Sequence, residues 1–164
     1  MRVLLELIHG HGAHVDATAC VTVPFDLAGQ TPAGLPHSIA QLVGHMTYWM
    51  EYELARIGGK APSYPEHAAL SWPTESHPES EDHWLEAIRR FEACLRGMEE
   101  LVRAGPDTLS RPVPLTDPVH SKQAESVEAL LWQTVVHNSY HLGQAAQVRR
   151  ALGAWPPEGG GDTW

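Results

Sequence analysis

The chain has 164 residues, of which 43% are hydrophobic and 19% are charged, and this size and composition predict one soluble domain spanning residues 1–164. The chain has 11 lysines and arginines against 20 aspartates and glutamates, which gives a formal charge of −9. Because this charge repels the phosphates of DNA and RNA, we do not expect nucleic acid as a partner. No apolar run approaches the ~20 residues that span a bilayer and the amino terminus lacks a signal-peptide pattern, so we expect a cytoplasmic protein without membrane contact.

The first predicted element is a helical region from about Arg2 to Val23. Gly10 and Gly12 weaken its middle, and Pro24 interrupts its end, because glycine and proline both disfavour a helix interior. The stretch that follows is rich in glycine, proline and threonine and predicts a turn before the next helix.

The second predicted helix runs from about Ile39 to Ile57, with Ser38 as its N-cap and Gly58-Gly59 as its end. Helical spacing places five residues on one face, which are Leu42, His45, Trp49, Tyr52 and Arg56. His45 therefore occupies a core-facing position among apolar and aromatic neighbours.

A long connection from Lys60 to Pro78 follows, with four prolines among serine, threonine, histidine and aromatic residues. Tyr64 and Trp72 in this loop have two interpretations. They could cover the mouth of an active site, or they could pin the loop to the domain, as large aromatic residues in loops often do.

The third predicted helix begins after Ser80, ends at Gly105-Pro106, and has an apolar stripe with steps of four and three residues. The stripe consists of Trp84, Ile88, Phe91, Leu95, Met98 and Val102. A second proline-containing connection from Asp107 to Gln123 leads to a fourth helix, which Ser126 caps and which continues to Leu152. These elements predict an all-α fold, a four-helix bundle with long proline-rich loops between helices.

The fourth helix has a polar interruption in its core-facing seam. The seam consists of Val127, Leu130, Thr134, His137, His141, Gln144, Val148 and Ala151. His137 and His141 are four residues apart, so both imidazoles lie on one helix face and can reach a single metal ion. Burying these polar groups without partners would cost roughly 1–3 kcal/mol each, so a metal, a ligand or water must satisfy them.

His45 is the predicted third ligand, because it occupies the matching position on another helix. A structural zinc site usually has four protein ligands, whereas three histidines leave a position open for water, a thiol or a substrate. The pattern predicts one divalent metal ion. Zinc and nickel are the first choices, and iron or another metal remains possible because imidazole suits several of them.

The quoted residues resemble a known family. The segment around His45, the run from His137 to Gln144 and the end from Arg149 to Pro157 are similar to the DinB-like superfamily, also called YfiT-like metal-dependent hydrolases. The resemblance covers helices two to four and implies a four-helix bundle that binds one divalent metal through His45, His137 and His141. It also implies a homodimer.

The resemblance further implies chemistry on small molecules. Characterised members of the superfamily include low-molecular-weight thiol S-transferases and a thiol-dependent isomerase, in which the metal activates a bacillithiol- or mycothiol-type sulfhydryl. We therefore expect a thiol S-transferase or a hydrolase that acts on a small electrophilic substrate. The glycines and proline of the amino-terminal region depart from the family's pattern, which leaves the substrate open.

Several other residues are candidates for supporting roles. Tyr48 and Glu53 are within two turns of His45 and are candidate acid–base groups, while Trp49, Tyr52 and Gln144 are candidates for the substrate pocket. A local cluster that could hold a second ion consists of His9, His11 and His14. Loop or surface positions are expected for His67, His77, His83 and His120, and His37 is expected near a helix start.

Two alternatives to an enzyme remain. No general base or nucleophile stands out, which also fits a non-catalytic dimeric protein that binds a metal or ligand or has a structural role. A metal-responsive sensor is the other alternative, although no DNA-reading helix with a basic face is present.

Overall fold

Helices form most of the structure in residues 2–114 and 124–161, which a computed structural model describes. In chain order the helices are α1 (Arg2–Ile8), α2 (Ala17–Val21), α3 (Phe25–Ala28), α4 (Ile39–Ile57), a 3-10 helix (Ala68–Ser71), α5 (Glu81–Arg103), α6 (Pro106–Ser110) and α7 (Val127–Ala151). Two-residue strands β1 (Pro112–Val113) and β2 (Glu125–Ser126) pair antiparallel in front of α7. The prediction of an all-α fold is confirmed.

The amino-terminal region differs from the single helical region predicted between Arg2 and Val23. It forms the two short helices α1 and α2, because Gly10 and Gly12 between them adopt the left-handed φ values of +84° and +78°, and α3 follows only after Pro24. A side chain at position 10 would meet the His14 ring at 2.6 Å. The described residues thus contain three long helices, and the short helices α1 and α2 contact both α5 and α7.

The three long helices begin where the sequence predicts, because a serine caps each of them. Ser38 accepts a hydrogen bond from the Gln41 backbone and receives the reciprocal Gln41 side-chain contact, which completes a capping box. Ser80 and Ser126 each accept a bond from the backbone N–H three residues later. The predicted beginnings of these helices are therefore confirmed, and α7 ends at Ala151, one residue before the predicted Leu152.

Helix α4 packs against both α5 and α7, and the core lies between them. The predicted stripe of α5 is buried along its whole length, as expected. On α7 the seam residues Leu130, Thr134 and Val148 are buried, but Ala151 is exposed and does not belong to the seam.

The connection between α4 and α5 lies against the first half of α4. Ser38 Oγ donates to the carbonyl of Ser76 at 2.6 Å, and Gln41 Nε2 donates to that of Pro73 at 3.1 Å. A Cβ on Gly44 would lie 2.4 Å from Pro73, so a glycine is required for the close approach. These contacts hold the preceding residues, including Trp72, over α4.

The second connection begins with the short helix α6, an element that the sequence analysis did not predict. Pro106 occupies the first turn of α6, where its missing N–H costs nothing. Residues 115–123 lie outside the described residues, and with them the prediction of a loop or surface position for His120. In the part of the chain that is described, no helix is both long and apolar enough to cross a lipid bilayer.

Candidate metal centre

His45 from α4 meets His137 and His141 from α7. One ring nitrogen of each lies within 4.8 Å of those of the other two, and in the described chain this is the one group of three or more His, Cys, Asp or Glu residues that could hold a metal ion. Nε2 of His45 and Nε2 of His137 are 3.1 Å apart. Two imidazoles bound to a tetrahedral zinc would hold their nitrogens about 3.3 Å apart. The spacing therefore suits a shared ion.

The hydrogen bonds around Ser71 fix which nitrogen of His45 carries a proton. The Ser71 hydroxyl donates its only proton to the carbonyl of Ala68 at 2.6 Å and accepts from Nε1 of Trp49 at 3.1 Å. Nδ1 of His45, 2.9 Å from the same oxygen, must then be the donor. Nε2 of His45 is left with a free lone pair.

The two histidines of α7 are oriented in a similar way. Nδ1 of His141 lies 2.7 Å from Oε1 of Gln144, a carbonyl oxygen that only accepts. Nδ1 of His137 lies 3.4 Å from Oδ1 of Asn138, whose amide nitrogen contacts Met50. All three Nδ1 atoms therefore face an oxygen acceptor, which is the arrangement that outer hydrogen bonds give to metal-ligating histidines.

The electrostatics of the cluster favour neutral rings. Burial, together with the neighbouring imidazoles of His141 and His137, lowers the pKa of His45 to about 3. Burial likewise lowers the pKa of His137 and of His141. The rings therefore stay unprotonated at neutral pH and direct lone pairs at one another, an arrangement that a cation would relieve.

The residues from 18 to 145 match the model of the DinB superfamily. The chain belongs to this superfamily. The match contains all three histidines and begins only after Gly10 and Gly12, so the irregular amino-terminal segment lies outside it. No curated protein and no solved structure matches the chain.

In this DinB-superfamily chain, Trp72 covers one side of the cluster. Its ring stacks on that of His45 with centroids 3.8 Å apart and an interplanar angle of 7°. It also stacks on His37 at 3.8 Å and 12°. His45 and His141 are buried, whereas His137 is partly exposed, so the cluster is most open beside His137.

The candidate acid–base groups make their contacts with other residues. The carboxylate of Glu53 binds Arg56 at 2.8 Å, and burial raises the pKa of Glu53 although Arg56 opposes the shift. Tyr48 lies in a groove between α4 and α5, where its ring contacts Trp49. Among the described residues, the hydrogen bonds of Glu53 are to Arg56 and the ring contact of Tyr48 is to Trp49, not to the three histidines.

The predicted pocket residues have different positions. Gln144 and Trp49 act through hydrogen bonds, since Gln144 orients His141 and Trp49 helps to hold Ser71. Tyr52 is buried against Trp49 and Tyr64. Gln144 also lines a small pocket of about 120 Å³ with His37. A larger groove of about 510 Å³ includes Ser71 and Trp72 in its wall.

The amino-terminal histidines do not form a second cluster of the kind described above. His9 lies 3.4 Å from Glu99 and His11 lies 3.0 Å from Asp16. His14 instead bonds to Ser139 across the fold at 3.1 Å. Exposed positions are confirmed for His67, His77 and His83, and His37 directly precedes the cap of α4.

Sequence reasoning missed two residues that orient the site, Ser71 and Asn138. Ser71 lies in a loop, where periodicity gives no information about which way a side chain points. Asn138 is buried beside His137, but it does not belong to the seam that periodicity predicts, so the sequence pattern did not indicate its burial.

Proposed function

We propose that the protein binds one divalent metal ion through Nε2 of His45, His137 and His141, and that the site serves chemistry on a small electrophilic molecule. The observation that carries the proposal is the orientation of the three rings, whose Nδ1 atoms all face oxygen acceptors. Zinc or nickel is the proposed ion, with iron as a further possibility, since imidazole ligands suit all three.

The metal proposal is tested by the metal content of purified protein. After incubation with zinc or nickel and removal of free metal, we expect about one ion per chain for the native protein. His137→Ala should lose it, whereas the matched variant His83→Ala, which removes an exposed imidazole from α5, should retain it. Native protein without bound metal, or equal metal content in His137→Ala, would contradict the proposal.

The proposed reaction is transfer of a low-molecular-weight thiol, with hydrolysis as the variant in which water replaces the thiol. A divalent ion with an open position lowers the pKa of a thiol or water toward neutrality. In the transfer the thiol loses its proton, its sulfur forms a bond to the electrophilic carbon, and the leaving group departs with the electron pair of the broken bond. His45 and His141 are buried and hold their position, while the partly exposed side at His137 admits the reactants.

The reaction is tested with 1-chloro-2,4-dinitrobenzene and a panel of bacillithiol, mycothiol and glutathione. We expect zinc- or nickel-loaded protein to accelerate formation of the thioether and release of chloride with at least one thiol. A parallel assay with 4-nitrophenyl acetate and no thiol measures hydrolysis. Rates that are the same with native protein, with His137→Ala and without protein would exclude both reactions for these substrates.

A second candidate function is metal or ligand binding without catalysis. One observation favours it. Glu53 binds Arg56, and Tyr48 lines the groove between α4 and α5, so the described contacts of both predicted acid–base groups are with residues other than the three histidines. One metal ion per chain together with no turnover in either assay would support this function over the enzyme.

A further inference from the structure

A groove of about 510 Å³ lies between α4, α5 and the connection that joins them. The three histidines of the candidate metal centre are not among the described residues that line it. Its volume is within the range of about 300–1,000 Å³ that small-molecule sites usually have. Leu70 in its wall is 64% exposed, although large apolar side chains are usually buried. We call this space the α4–α5 groove, and its size and apolar wall suit a small ligand.

The charges in the wall of the groove are mainly negative. With histidine neutral, they are the carboxylates of Glu51, Glu75 and Glu79 and the guanidinium of Arg90. Nη2 of Arg90 lies 2.8 and 2.9 Å from the two carboxylate oxygens of Glu51, so these two charges offset each other. The carboxylates of Glu75 and Glu79 are exposed and leave the groove with an excess of negative charge. This excess favours a cationic ligand.

The ring of Trp72 can meet a molecule in the groove only at its edge. The rings of His37 and His45 each stack on it with centroids 3.8 Å away and interplanar angles of 12° and 7°. Two rings this close and this parallel to the indole cannot share one face, so they cover its opposite faces. The edge of an aromatic ring carries partial positive charge and prefers the face of another aromatic ring. The wall therefore favours a flat aromatic group.

A buried hydroxyl in the wall of the groove lacks a partner. Thr47 lines the groove and is 5% exposed, and its Oγ1 has no hydrogen-bond partner among the described residues. An unpaired buried hydroxyl is unfavourable, whereas its oxygen can accept a hydrogen bond from an N–H group. A ligand that carries an N–H group would supply the missing partner.

We propose that the α4–α5 groove binds a small organic cation that combines an aromatic ring with an ammonium group. The aromatic ring lies against the edge of Trp72, and the ammonium group lies near the carboxylates of Glu75 and Glu79. This binding is independent of the proposed metal site and reaction, because it uses other residues and requires no metal ion.

The groove is nevertheless connected to the histidine cluster. Ser71 and Trp72 both line the groove and both contact His45, Ser71 through the hydrogen bond of 2.9 Å to Nδ1 and Trp72 through ring stacking. A molecule in the groove thus touches the two residues that hold the His45 ring. Its binding changes the surroundings of that ring, which is the coupling that links two sites.

The first test compares three naphthalene compounds by isothermal titration calorimetry at pH 8, above the usual pKa of histidine. They are 2-(1-naphthyl)ethylamine, a cation, 2-(1-naphthyl)ethanol, which is neutral, and 1-naphthylacetate, an anion. The amine should bind purified protein about tenfold more tightly than the alcohol, because two exposed carboxylates attract it, and the acetate should bind most weakly. Equal affinities for the three compounds, or no binding of the amine at millimolar concentration, would overturn the proposal.

The second test examines the role of the carboxylates. Glu75→Gln with Glu79→Gln should reduce the preference for the amine over the alcohol to about twofold. Glu100→Gln with Glu128→Gln removes the same charge from exposed positions on α5 and α7 and should leave the preference unchanged. Equal effects of the two double variants would indicate a general charge effect and would overturn the proposed position of the ammonium group.

The third test examines the location of the ligand. Ala87→Phe, or Ala87→Leu if the larger side chain prevents folding, fills part of the groove and should weaken binding of the amine by more than about tenfold. Ala93→Phe adds the same ring at an exposed position of α5 and should have no effect. His137→Ala should bind the amine as tightly as native protein does. Circular dichroism checks the fold. Unchanged binding by a folded Ala87 variant, or loss of binding in His137→Ala, would place the amine elsewhere and overturn the groove as its site.

The coupling is tested in protein labelled with ¹⁵N-histidine. Saturation with the amine should shift the ring nitrogen resonances of His45, which are identified by their loss in His45→Gln. The resonances of His11, which lies 3.0 Å from Asp16 on the amino-terminal segment, should not shift. Unchanged His45 resonances in protein saturated with the amine would overturn the coupling.

Discussion

The hydroxyl oxygen of Ser71 lies 2.9 Å from Nδ1 of His45, although the two residues are 26 positions apart in the chain. The same oxygen donates to Ala68 and accepts from Trp49, so its hydrogen-bonding capacity is filled only when His45 donates to it. A loop residue thereby sets the tautomer of a histidine on α4, and with it the direction of the lone pair on Nε2.

Ser71→Ala should weaken metal binding because Nδ1 of His45 loses the acceptor that fixes the ring. Loss of such an outer hydrogen bond typically reduces metal affinity by about 10–100-fold. Competition with a chromogenic chelator measures the change. Ser110→Ala is the matched control, since the Ser110 hydroxyl bonds to a backbone carbonyl on the surface. An unchanged affinity in Ser71→Ala would show that the Ser71 contact does not orient His45 for a metal.

Gln144→Glu should strengthen metal binding. Oε1 of Gln144 lies 2.7 Å from Nδ1 of His141, and a carboxylate there would accept the same bond more strongly and make the ring a better electron donor. We expect an increase in affinity of about tenfold in the chelator assay. Gln147→Glu adds the same charge one turn away and should give a smaller change, so equal effects of the two variants would indicate a general charge effect instead.

The stability of metal-free protein should fall as the pH decreases from about 6.5, the unperturbed histidine pKa. His45 has a folded-state pKa of about 3, so between these values the unfolded chain binds a proton that the folded chain does not. The lowered pKa values of His137 and His141 act in the same direction. The stability difference is zero above pH 6.5 and grows toward pH 3.

For His45 the loss of unfolding free energy is at most about 1.4 kcal/mol per pH unit between the unfolded and folded pKa values, and the shifts at His137 and His141 add to it in the same direction. Urea denaturation in the presence of a chelator, at pH 7, 6 and 5, measures the slope. His45→Gln should give a shallower slope than the native protein. A native unfolding free energy that is constant over this range would show that the histidines are not held neutral.

Arg149→Met should destabilise the fold. The buried guanidinium donates to the carbonyls of Ala19, Cys20 and Thr22 at the end of α2 and to that of Ala154. Without it these acceptors lose their partners, and we expect a loss of about 3 kcal/mol in unfolding free energy. Arg89→Met, which removes an exposed i,i+3 ion pair, should cost less than about 0.5 kcal/mol. Similar losses for both variants would contradict this role of Arg149.

Local signals in the sequence were sufficient for the long helices. Serine caps and helical periodicity depend on residues within one or two turns, so they give the beginnings of α4, α5 and α7 and the buried stripe of α5. The same locality explains the error at the amino terminus. Gly10 and Gly12 weaken the helical pattern of the sequence, but only their left-handed φ angles in the structure show that the helix ends before them.

The sequence by itself determined that His137 and His141 share a face, since four-residue spacing on a helix requires it. Their proximity to His45 depends on how α4 packs against α7. The periodicity of each helix predicted that the three histidines face the core, but not that they lie together. The roles of Ser71, Trp72 and Glu53 were decided by the tertiary structure alone. Helical spacing fixes which residues are neighbours on one element, whereas hydrogen bonds from a loop, ring stacking and the choice of an ion-pair partner depend on which elements come together.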